Sequence, residues 1–295
     1  MILAAIDVGS NAARLLISEA TTNKEGKEAL VKLNLVRVPL RLGMDVFATG
    51  SIGHDREARM IATMQAYQLL MKVYGVVAFK ACATSAMRDA TNGASVLQRV
   101  AAESGIQLKI LTGQEEANVI YETHAAENLS TRKRYLYIDV GGGSTELTVF
   151  ARGEMVAKES FNIGTIRLLQ GRVEKETWEE MRRFLKKLAR RFSPLEAIGS
   201  GGNINKIFSL SKKKEGQPLK LELLRSYQEA LAPLTVQERM DRYQLRADRA
   251  DVIVPALEIF LNVMRWTDAH EIYVPKIGLA DGLVRMLYRE LSEKK

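Results

Sequence analysis

Two stretches of sequence decide the fold: AAIDVGSNAARLLIS at residues 4–18 and LYIDVGGGSTELTVF at residues 136–150. Each has an apolar strand, a turn rich in Gly and Ser, and a second apolar strand, which is the pattern of a β-hairpin. Asp7 and Asp139 are 132 residues apart, whereas solenoid repeats have periods of about 20–50 residues. The duplication therefore predicts two domains built on one plan.

Strand and helix patterns alternate around the two hairpins, so the sequence predicts an α/β fold. Helical periodicity covers residues 54–74, and a helix beginning at Gly113 carries acidic residues in its first turn, where the helix dipole favours them. The glycine-containing stretch 42–52 is predicted to be a loop. Arg88 is predicted in a loop that leads into a helix, and Pro255 to break or kink a helix.

The composition is that of an ordinary globular protein, with 46% hydrophobic and 26% charged residues among 295. The net charge is +8, and it is uneven: residues 1–122 carry +1 and residues 123–295 carry +7. This excess indicates an anionic partner. It is concentrated between Arg182 and Arg191 and in the run Lys212–Lys214.

The thiol content and the apolar segments indicate a cellular location. Cys82 is the single cysteine and cannot form an internal disulfide, and three histidines do not suggest a zinc cluster. The N-terminus lacks a basic signal region and is interrupted by Asp7. The longest apolar stretch, around residues 252–264, is shorter than the ~20 residues that span a bilayer. We therefore expect a soluble, cytoplasmic protein without a membrane partner.

The glycine-rich turn after Asp139 is the strongest chemical signal. Three consecutive glycines allow the backbone to approach a ligand and direct successive N–H groups at a phosphate. Asp139 and Glu146 could hold a hard cation. A plain glycine hairpin is the simpler alternative for one copy, but the related turn at Asp7 weakens it. A third cluster, GSGGN at residues 199–203, is equally consistent with an anion site at a helix start and with an ordinary turn.

The acidic pair Glu115 and Glu116 lies in the first turn of a helix. Dipole compensation is a sufficient explanation for the pair, and adjacent helical residues point about 100° apart. Arg88 offers the fork that binds phosphate, with a surface salt bridge as its alternative. No Gly-X-Ser-X-Gly motif or catalytic triad is evident. Phosphoryl transfer requires neither, so the sequence favours phosphate chemistry with a carboxylate base and a divalent metal.

Six motifs, in order, resemble the exopolyphosphatase / guanosine pentaphosphate phosphatase family. They are DVGSNAARLLI (7–17), ATSAMRDATNG (83–93), TGQEEANVIYE (112–122), IDVGGGSTEL (138–147), FNIGTIRLL (161–169) and IGSGGNINKI (198–207). The resemblance implies two ribonuclease-H-like domains of the acetate and sugar kinase, heat-shock chaperone and actin superfamily, with an active site in the cleft between them. We expect these domains at residues 1–122 and 123–295, with a closing helix at about 280–295 that packs on the first.

The resemblance also implies roles for individual residues. Glu116 matches the family's catalytic base, which activates the attacking water, and Asp139 and Glu146 match carboxylates that bind Mg²⁺ or another divalent cation. The positions that line the phosphate site are matched by Ser10, Asn11, Arg88, Gly141, Gly142, Gly143, Ser144, Thr145 and Gly201.

Two departures from the family pattern are evident. Ala280 stands where relatives often have Arg, so a basic contact is expected to be missing. Longer relatives carry an additional helical C-terminal region, without which we expect weaker binding of very long polyphosphate.

The expected function is an exopolyphosphatase that acts on inorganic polyphosphate, with a pppGpp 5′-phosphohydrolase that yields ppGpp as the alternative. An actin-like ATPase, a sugar or acetate kinase, and a sensor that binds without turnover are the other hypotheses. A homodimer is possible on the family pattern, and no nucleic-acid partner is expected. The basic excess of residues 123–295 is expected to lead a polyphosphate tail to the site.

Overall fold

In the computed structural model, which describes residues 1–22, 28–124 and 130–293, the chain divides into two compact units. Unit 1 comprises Met1–Ala126 together with Gly278–Lys295, and unit 2 comprises Glu127–Ile277. Each unit is built on one mixed β-sheet with helices.

The five strands of the unit 1 sheet are β1 (Ile2–Val8), β2 (Ala13–Thr22), β3 (Glu28–Val38), β4 (Ala78–Ala83) and β5 (Lys109–Ile110). The helices of this unit are α1 (Leu42–Thr49), α2 (His54–Val73), α3 (Ser85–Asp89), α4 (Gly93–Ser104), α5 (Gly113–His124) and α13 (Leu279–Ser292).

The six strands of the unit 2 sheet are β6 (Arg134–Val140), β7 (Thr145–Ala151), β8 (Glu154–Phe161), β9 (Glu196–Ser200), β10 (Leu219–Lys220) and β11 (Glu271–Tyr273). The helices are α6 (Thr165–Leu169), α7 (Lys175–Phe192), α8 (Gly202–Leu210), α9 (Leu221–Leu231), α10 (Val236–Tyr243), α11 (Ala247–Ala250) and α12 (Ile253–Thr267).

The two sheets share one topology. The order in unit 1 is β3-β2-β1-β4-β5, with antiparallel pairs among the first three strands and parallel pairs from β1 onward to β5. Unit 2 repeats it as β8-β7-β6-β9-β11, with the short β10 added antiparallel at the edge. This is the ribonuclease-H-like arrangement, so the predicted α/β fold class is confirmed.

Glycine allows the last helix of unit 1 to pack closely against α5. Leu283, Val284 and Leu287 of α13 are buried in the core beside β1. A Cβ on Gly282 would lie 2.1 Å from the Val119 carbonyl oxygen, so this helix contact requires glycine. The C-terminal helix therefore belongs to the core of unit 1.

Two predicted loops are short helices in the structure. The predicted loop at residues 42–52 contains α1, because Leu42, Val46 and Phe47 form a buried face and Gly50 ends the helix at a φ of 82°. Arg88 lies in the short helix α3 instead of a loop.

Of the break or kink predicted at Pro255, the structure shows a break: α11 ends at Ala250 and α12 begins at Ile253. Pro255 does not kink α12, since it lies in the first turn, where its missing N–H has no intrahelical partner to lose. Across the residues that the structure describes, no helix is both long and apolar enough to cross a bilayer.

Candidate functional site

The turn between β1 and β2, residues 9–12, is called the first turn. A hydrogen bond from Gly9 N to Ala12 O closes it at 3.0 Å. The start of α1 holds it from outside, because Gly43 N donates to Ser10 O at 2.9 Å. The Ser10 hydroxyl is buried and lies 2.8 Å from the Ser85 hydroxyl at the start of α3. Ser10 therefore joins two of the predicted phosphate-binding segments.

An ion pair joins the two strands on either side of the first turn. Asp7 and Arg14 are directly opposite in the β1–β2 ladder, and Arg14 Nη1 donates to Asp7 Oδ2 at 2.8 Å. The Asp7 side chain is 5% exposed, so the guanidinium compensates a nearly buried charge. Arg14 was not singled out from the sequence, although a four-residue hairpin turn places it opposite Asp7.

Arg88 and Glu116 meet in unit 1. Arg88 Nη1 donates to Glu116 Oε1 at 2.9 Å and to Leu111 O at 2.6 Å. Glu116 is buried, at 7% exposure, whereas the Arg88 side chain is 26% exposed. The structure thus brings the predicted base and the predicted phosphate-binding arginine into direct contact.

The two adjacent acids of α5 have different environments. Glu115 Oε2 accepts from Thr112 N at 2.8 Å and Oε1 accepts from Lys109 Nζ at 2.7 Å. These contacts cap the helix, and the Lys109 hydrogen bond followed by the Thr112 amide lowers the pKa of Glu115 to about 2. Dipole and capping roles therefore account for Glu115, and Glu116 alone of the two points into the buried contact with Arg88.

The pKa of the Cys82 thiol depends on the charges of the same region. Cys82 lies beside Asp7 in the parallel β1–β4 ladder. Burial, followed by the charges of Asp7 and Glu116, raises the pKa of Cys82 well above its ordinary value. These surroundings favour the thiol over the thiolate, which is the nucleophilic form of cysteine.

The turn between β6 and β7, residues 141–144, is called the second turn. Gly141 N donates to Ser144 O at 2.9 Å, as in the first turn. The N-terminus of α6 binds its carbonyls, with Ile166 N donating to Gly142 O at 2.8 Å. A Cβ on Gly164 would lie 2.4 Å from Gly142 O, so this contact requires glycine at the helix start.

The contacts with α6 use the carbonyl groups of the second turn, so its backbone amides are available to a ligand. Among the residues that the structure describes, no acceptor pairs with the backbone N–H groups of Gly142, Gly143 or Ser144. The hydroxyl of Thr145 donates to Ile163 O at 2.6 Å, and this residue is fully buried. The backbone N–H groups, more than the Thr145 hydroxyl, therefore suit this turn to an anion.

Two carboxylates stand across from each other beneath the second turn. Asp139 and Glu146 are Cα partners in the β6–β7 ladder, on one face of the sheet. Glu146 Oε1 accepts from Ser144 Oγ at 2.6 Å and from Ser160 Oγ at 3.0 Å, which fixes its orientation. This arrangement places two negative charges on one face, where a cation would reduce their repulsion.

The carboxylate pair fits a magnesium ion only with other ligands. No group of three or more His, Cys, Asp or Glu side chains within residues 1–22, 28–124 and 130–293 could form a closed metal cage. Magnesium is commonly held by one or two carboxylates, with water and substrate phosphates completing its shell. Asp139 and Glu146 are residues of the right chemistry for that second type.

The third glycine cluster packs against Asp139. Gly201 has a φ of 104°, and a Cβ there would lie 2.8 Å from Val140 O and 3.3 Å from Asp139 Oδ1. The guanidinium of Arg249 lies close to the next residue, Gly202, and its Nη1 donates to the Gly202 carbonyl. The sequence did not predict Arg249, because 47 residues separate it from Gly202.

The chain is similar to known proteins along most of its length. A model of the Ppx/GppA phosphatase family matches residues 23–292. Exopolyphosphatase 2 of Mycobacterium tuberculosis is 34% identical over 175 residues, which are 57% of this chain and 54% of that protein. The chain spans about half the length of the exopolyphosphatases it matches.

Solved structures extend the similarity to the whole chain. The crystal structure of the Ppx/GppA family member of Aquifex aeolicus is 26% identical with a TM-score of 0.75, and the match covers 100% of this chain and 99% of that one. An exopolyphosphatase structure from Cytophaga hutchinsonii has a TM-score of 0.84 at 22% identity, covering 99% of this chain and 98% of that one, which shows the same fold.

Proposed function

Because the chain belongs to the Ppx/GppA phosphatase family, we propose that it is a metal-dependent exopolyphosphatase. It hydrolyses the terminal phosphoanhydride bond of inorganic polyphosphate and releases orthophosphate. The observation that carries the proposal is the 2.9 Å contact between Arg88 and Glu116, which joins a phosphate-binding cation to a buried carboxylate. The exposed cations between Arg182 and Arg191 and the similarity to Exopolyphosphatase 2 support the substrate.

Glu116 acts as the general base. Its carboxylate accepts a proton from a water molecule, and the water oxygen attacks the terminal phosphorus. The bond from that phosphorus to the bridging oxygen breaks, and its electron pair stays with the shortened chain. Orthophosphate leaves with the water oxygen, so each turnover removes one phosphate.

Arg88 binds the terminal phosphate and holds Glu116 in place. Its Nη1 is used by Glu116 and Leu111, and among the described residues Nη2 has no acceptor. Because a guanidinium can bind two oxygens in a fork, Arg88 can contact a phosphate through Nη2 while Nη1 keeps the base oriented. Charge developing on the phosphoryl oxygens is stabilised by the same group.

Unit 2 binds further phosphate oxygens. The backbone amides of Gly142, Gly143 and Ser144 donate to them, and α6 keeps the turn rigid by binding its carbonyls. Asp139 and Glu146 would hold Mg²⁺, which when bound supplies charge neutralisation for the phosphates. Glu146 is kept in orientation by Ser144 and Ser160.

A substrate panel tests the proposed function. Phosphate release is measured from long-chain polyphosphate, short-chain polyphosphate, pppGpp and ATP, each with Mg²⁺ and with EDTA. We expect polyphosphate to give the highest kcat/KM and EDTA to abolish release. Preference for pppGpp would identify the alternative phosphohydrolase, and preference for ATP would indicate an ATPase or kinase.

The neighbouring acids of α5 provide a matched pair of variants. Replacing the base in Glu116→Gln should lower kcat by about 10²–10⁴-fold, whereas Glu115→Gln should leave kcat unchanged. Both variants lose one negative charge at the same helix start, so net charge cannot explain the difference. Equal activity of the two variants would remove Glu116 from the mechanism.

A further inference from the structure

Helix α7 presents two rows of cations to solvent. One row is Arg182, Lys186 and Arg190, and the other is Arg183, Lys187 and Arg191. All six side chains are exposed. Because residues four apart lie on one side of a helix, each row is continuous over about 12 Å.

The cations of α7 have almost no carboxylate partners within the described chain. Arg182 lies 3.5 Å from Glu179, and no other member of the two rows forms a salt bridge with a residue that the structure describes. Like charges four residues apart destabilise a helix. The helix tolerates this because its opposite face, with Met181, Leu185 and Leu188, is buried in the core of unit 2.

The rows begin beside the end of the sheet that carries the second turn. Phe184 contacts Phe161 at the end of β8, with ring centroids 5.6 Å apart, and Phe161 pairs with Thr145, the residue after the turn. The other end of α7 lies by the start of β6, since Arg134 Nη1 donates to Ser193 O at 2.7 Å. The cations therefore run from the phosphate end of the sheet toward its opposite end.

We propose that the exposed face of α7 binds the internal phosphates of long-chain polyphosphate, separately from the groups that bind the terminal phosphate. This inference rests on the proposed function. Two rows of cations suit a linear polyanion that consists of phosphate alone. The burial of the apolar side of α7 excludes insertion into a membrane, and a helix that contacts only phosphates would not read bases.

Charge neutralisation on α7 tests the proposal. Lys186, Lys187, Arg190 and Arg191 are replaced together by Gln, which has similar helix propensity. The matched control replaces four exposed cations elsewhere by Gln, namely Lys72, Lys220, Arg225 and Arg246. Both variants lower the net charge by the same amount, and their melting temperatures and circular dichroism verify folding.

The expected result depends on chain length. For long-chain polyphosphate the α7 variant should show a KM about tenfold higher than that of the wild type, with kcat unchanged. For tripolyphosphate both constants should remain unchanged, and the control variant should match the wild type on both substrates. Raised salt should diminish the difference, because the cations are exposed.

Direct binding separates this inference from the proposed function. Anisotropy of labelled long-chain polyphosphate is measured with Glu116→Gln protein, with and without the four α7 substitutions, and with duplex DNA as a competitor. Weaker binding of polyphosphate after substitution supports the α7 site even if no substrate in the panel is hydrolysed. Unchanged binding and KM would overturn it, as would a loss of binding confined to DNA.

Discussion

The hairpin turns of the two units share a backbone plan and differ in charge. Both are four-residue turns closed by the same hydrogen bond and held from outside by the start of the next helix. Asp7 faces Arg14 across the first hairpin, whereas Asp139 faces Glu146 across the second. A duplicated fold therefore carries an ion pair in unit 1 and a pair of like charges in unit 2.

The charge of the residue opposite the aspartate therefore determines whether each hairpin turn needs an added cation. In unit 1 Arg14 already compensates Asp7, so this turn needs no added cation. In unit 2 the facing residue Glu146 adds a second carboxylate, and a cation held by the pair would offset their negative charge as a phosphate approaches. We therefore propose that unit 2 is the part of the chain that would hold the metal.

The largest expected effect concerns the packing of the two turns. In Gly164→Ala the new Cβ would lie 2.4 Å from backbone atoms of the second turn, and we expect the free energy of unfolding to fall by about 3 kcal/mol. In Gly9→Ala the nearest atom would be 3.5 Å away, so stability should change little. Urea unfolding of both variants measures the difference, and equal stabilities would contradict the rigid role of α6.

The next effect concerns the metal. Glu146→Gln keeps the size of the side chain but removes one of the two negative charges, so the Mg²⁺ concentration for half-maximal activity should rise about 10–100-fold. Asp7→Asn should leave that concentration unchanged, even if kcat falls. Magnesium titrations of phosphate release measure both. A shift of the same size in Asp7→Asn would remove the contrast between the units.

A smaller effect on stability is expected when Arg14 or Glu146, the residue opposite each aspartate, loses its charge. The sign of this effect should differ between the two units. Arg14→Gln leaves the nearly buried Asp7 without a counter-charge and should lower the free energy of unfolding by about 1–2 kcal/mol, given that Arg14 is partly exposed. Glu146→Gln relieves repulsion and should leave stability equal or higher. Adding Asp7→Asn to Arg14→Gln should recover most of the loss; an additive double variant would contradict the ion pair.

The fold was largely predictable because its information is local and duplicated. The hairpin predicted from residues 136–150 is formed by β6 (Arg134–Val140) and β7 (Thr145–Ala151), since continuous apolar strands flank a glycine turn. α1 was not predicted, because its glycines suggested a loop and its buried face becomes apolar contact only in the folded unit. Short helices are stabilised mainly by such tertiary packing.

Site residues could be predicted where they belong to a sequence motif. They could not be predicted where a contact between distant parts of the chain places them. The sequence pattern distinguished Glu115 from Glu116 only through the family resemblance, whereas the structure separates them by a cap and a buried contact with Arg88. To predict the contact of Arg14 with Asp7, one needs the register of the β1–β2 hairpin. To predict the contact of Arg249 with Gly202, one needs to know that α11 packs on the start of α8, and the periodicity of the sequence does not encode this.

The smallest expected effect compares the helix caps of the two units at acid pH. Glu115 caps α5 with Thr112, and Glu238 caps α10 with Thr235; hydrogen bonds from Thr235 lower the pKa of Glu238. The pKa of Glu115 is lowered from an ordinary value of 4.5 to about 2, chiefly because Lys109 also donates to it.

A carboxyl group whose pKa is lower in the folded state stabilises fully above its unfolded pKa and loses that contribution as pH falls through its folded pKa. The difference in melting temperature between wild type and Glu115→Gln should therefore be constant above pH 4.5 and shrink between pH 4.5 and about 2. Glu238→Gln, the control in unit 2, should show a smaller dependence, because the cation beside Glu238 is Arg242 at 3.5 Å, a longer contact than the Lys109 hydrogen bond. A difference that stays constant down to pH 2.5 would show that the Lys109 contact contributes nothing to folding.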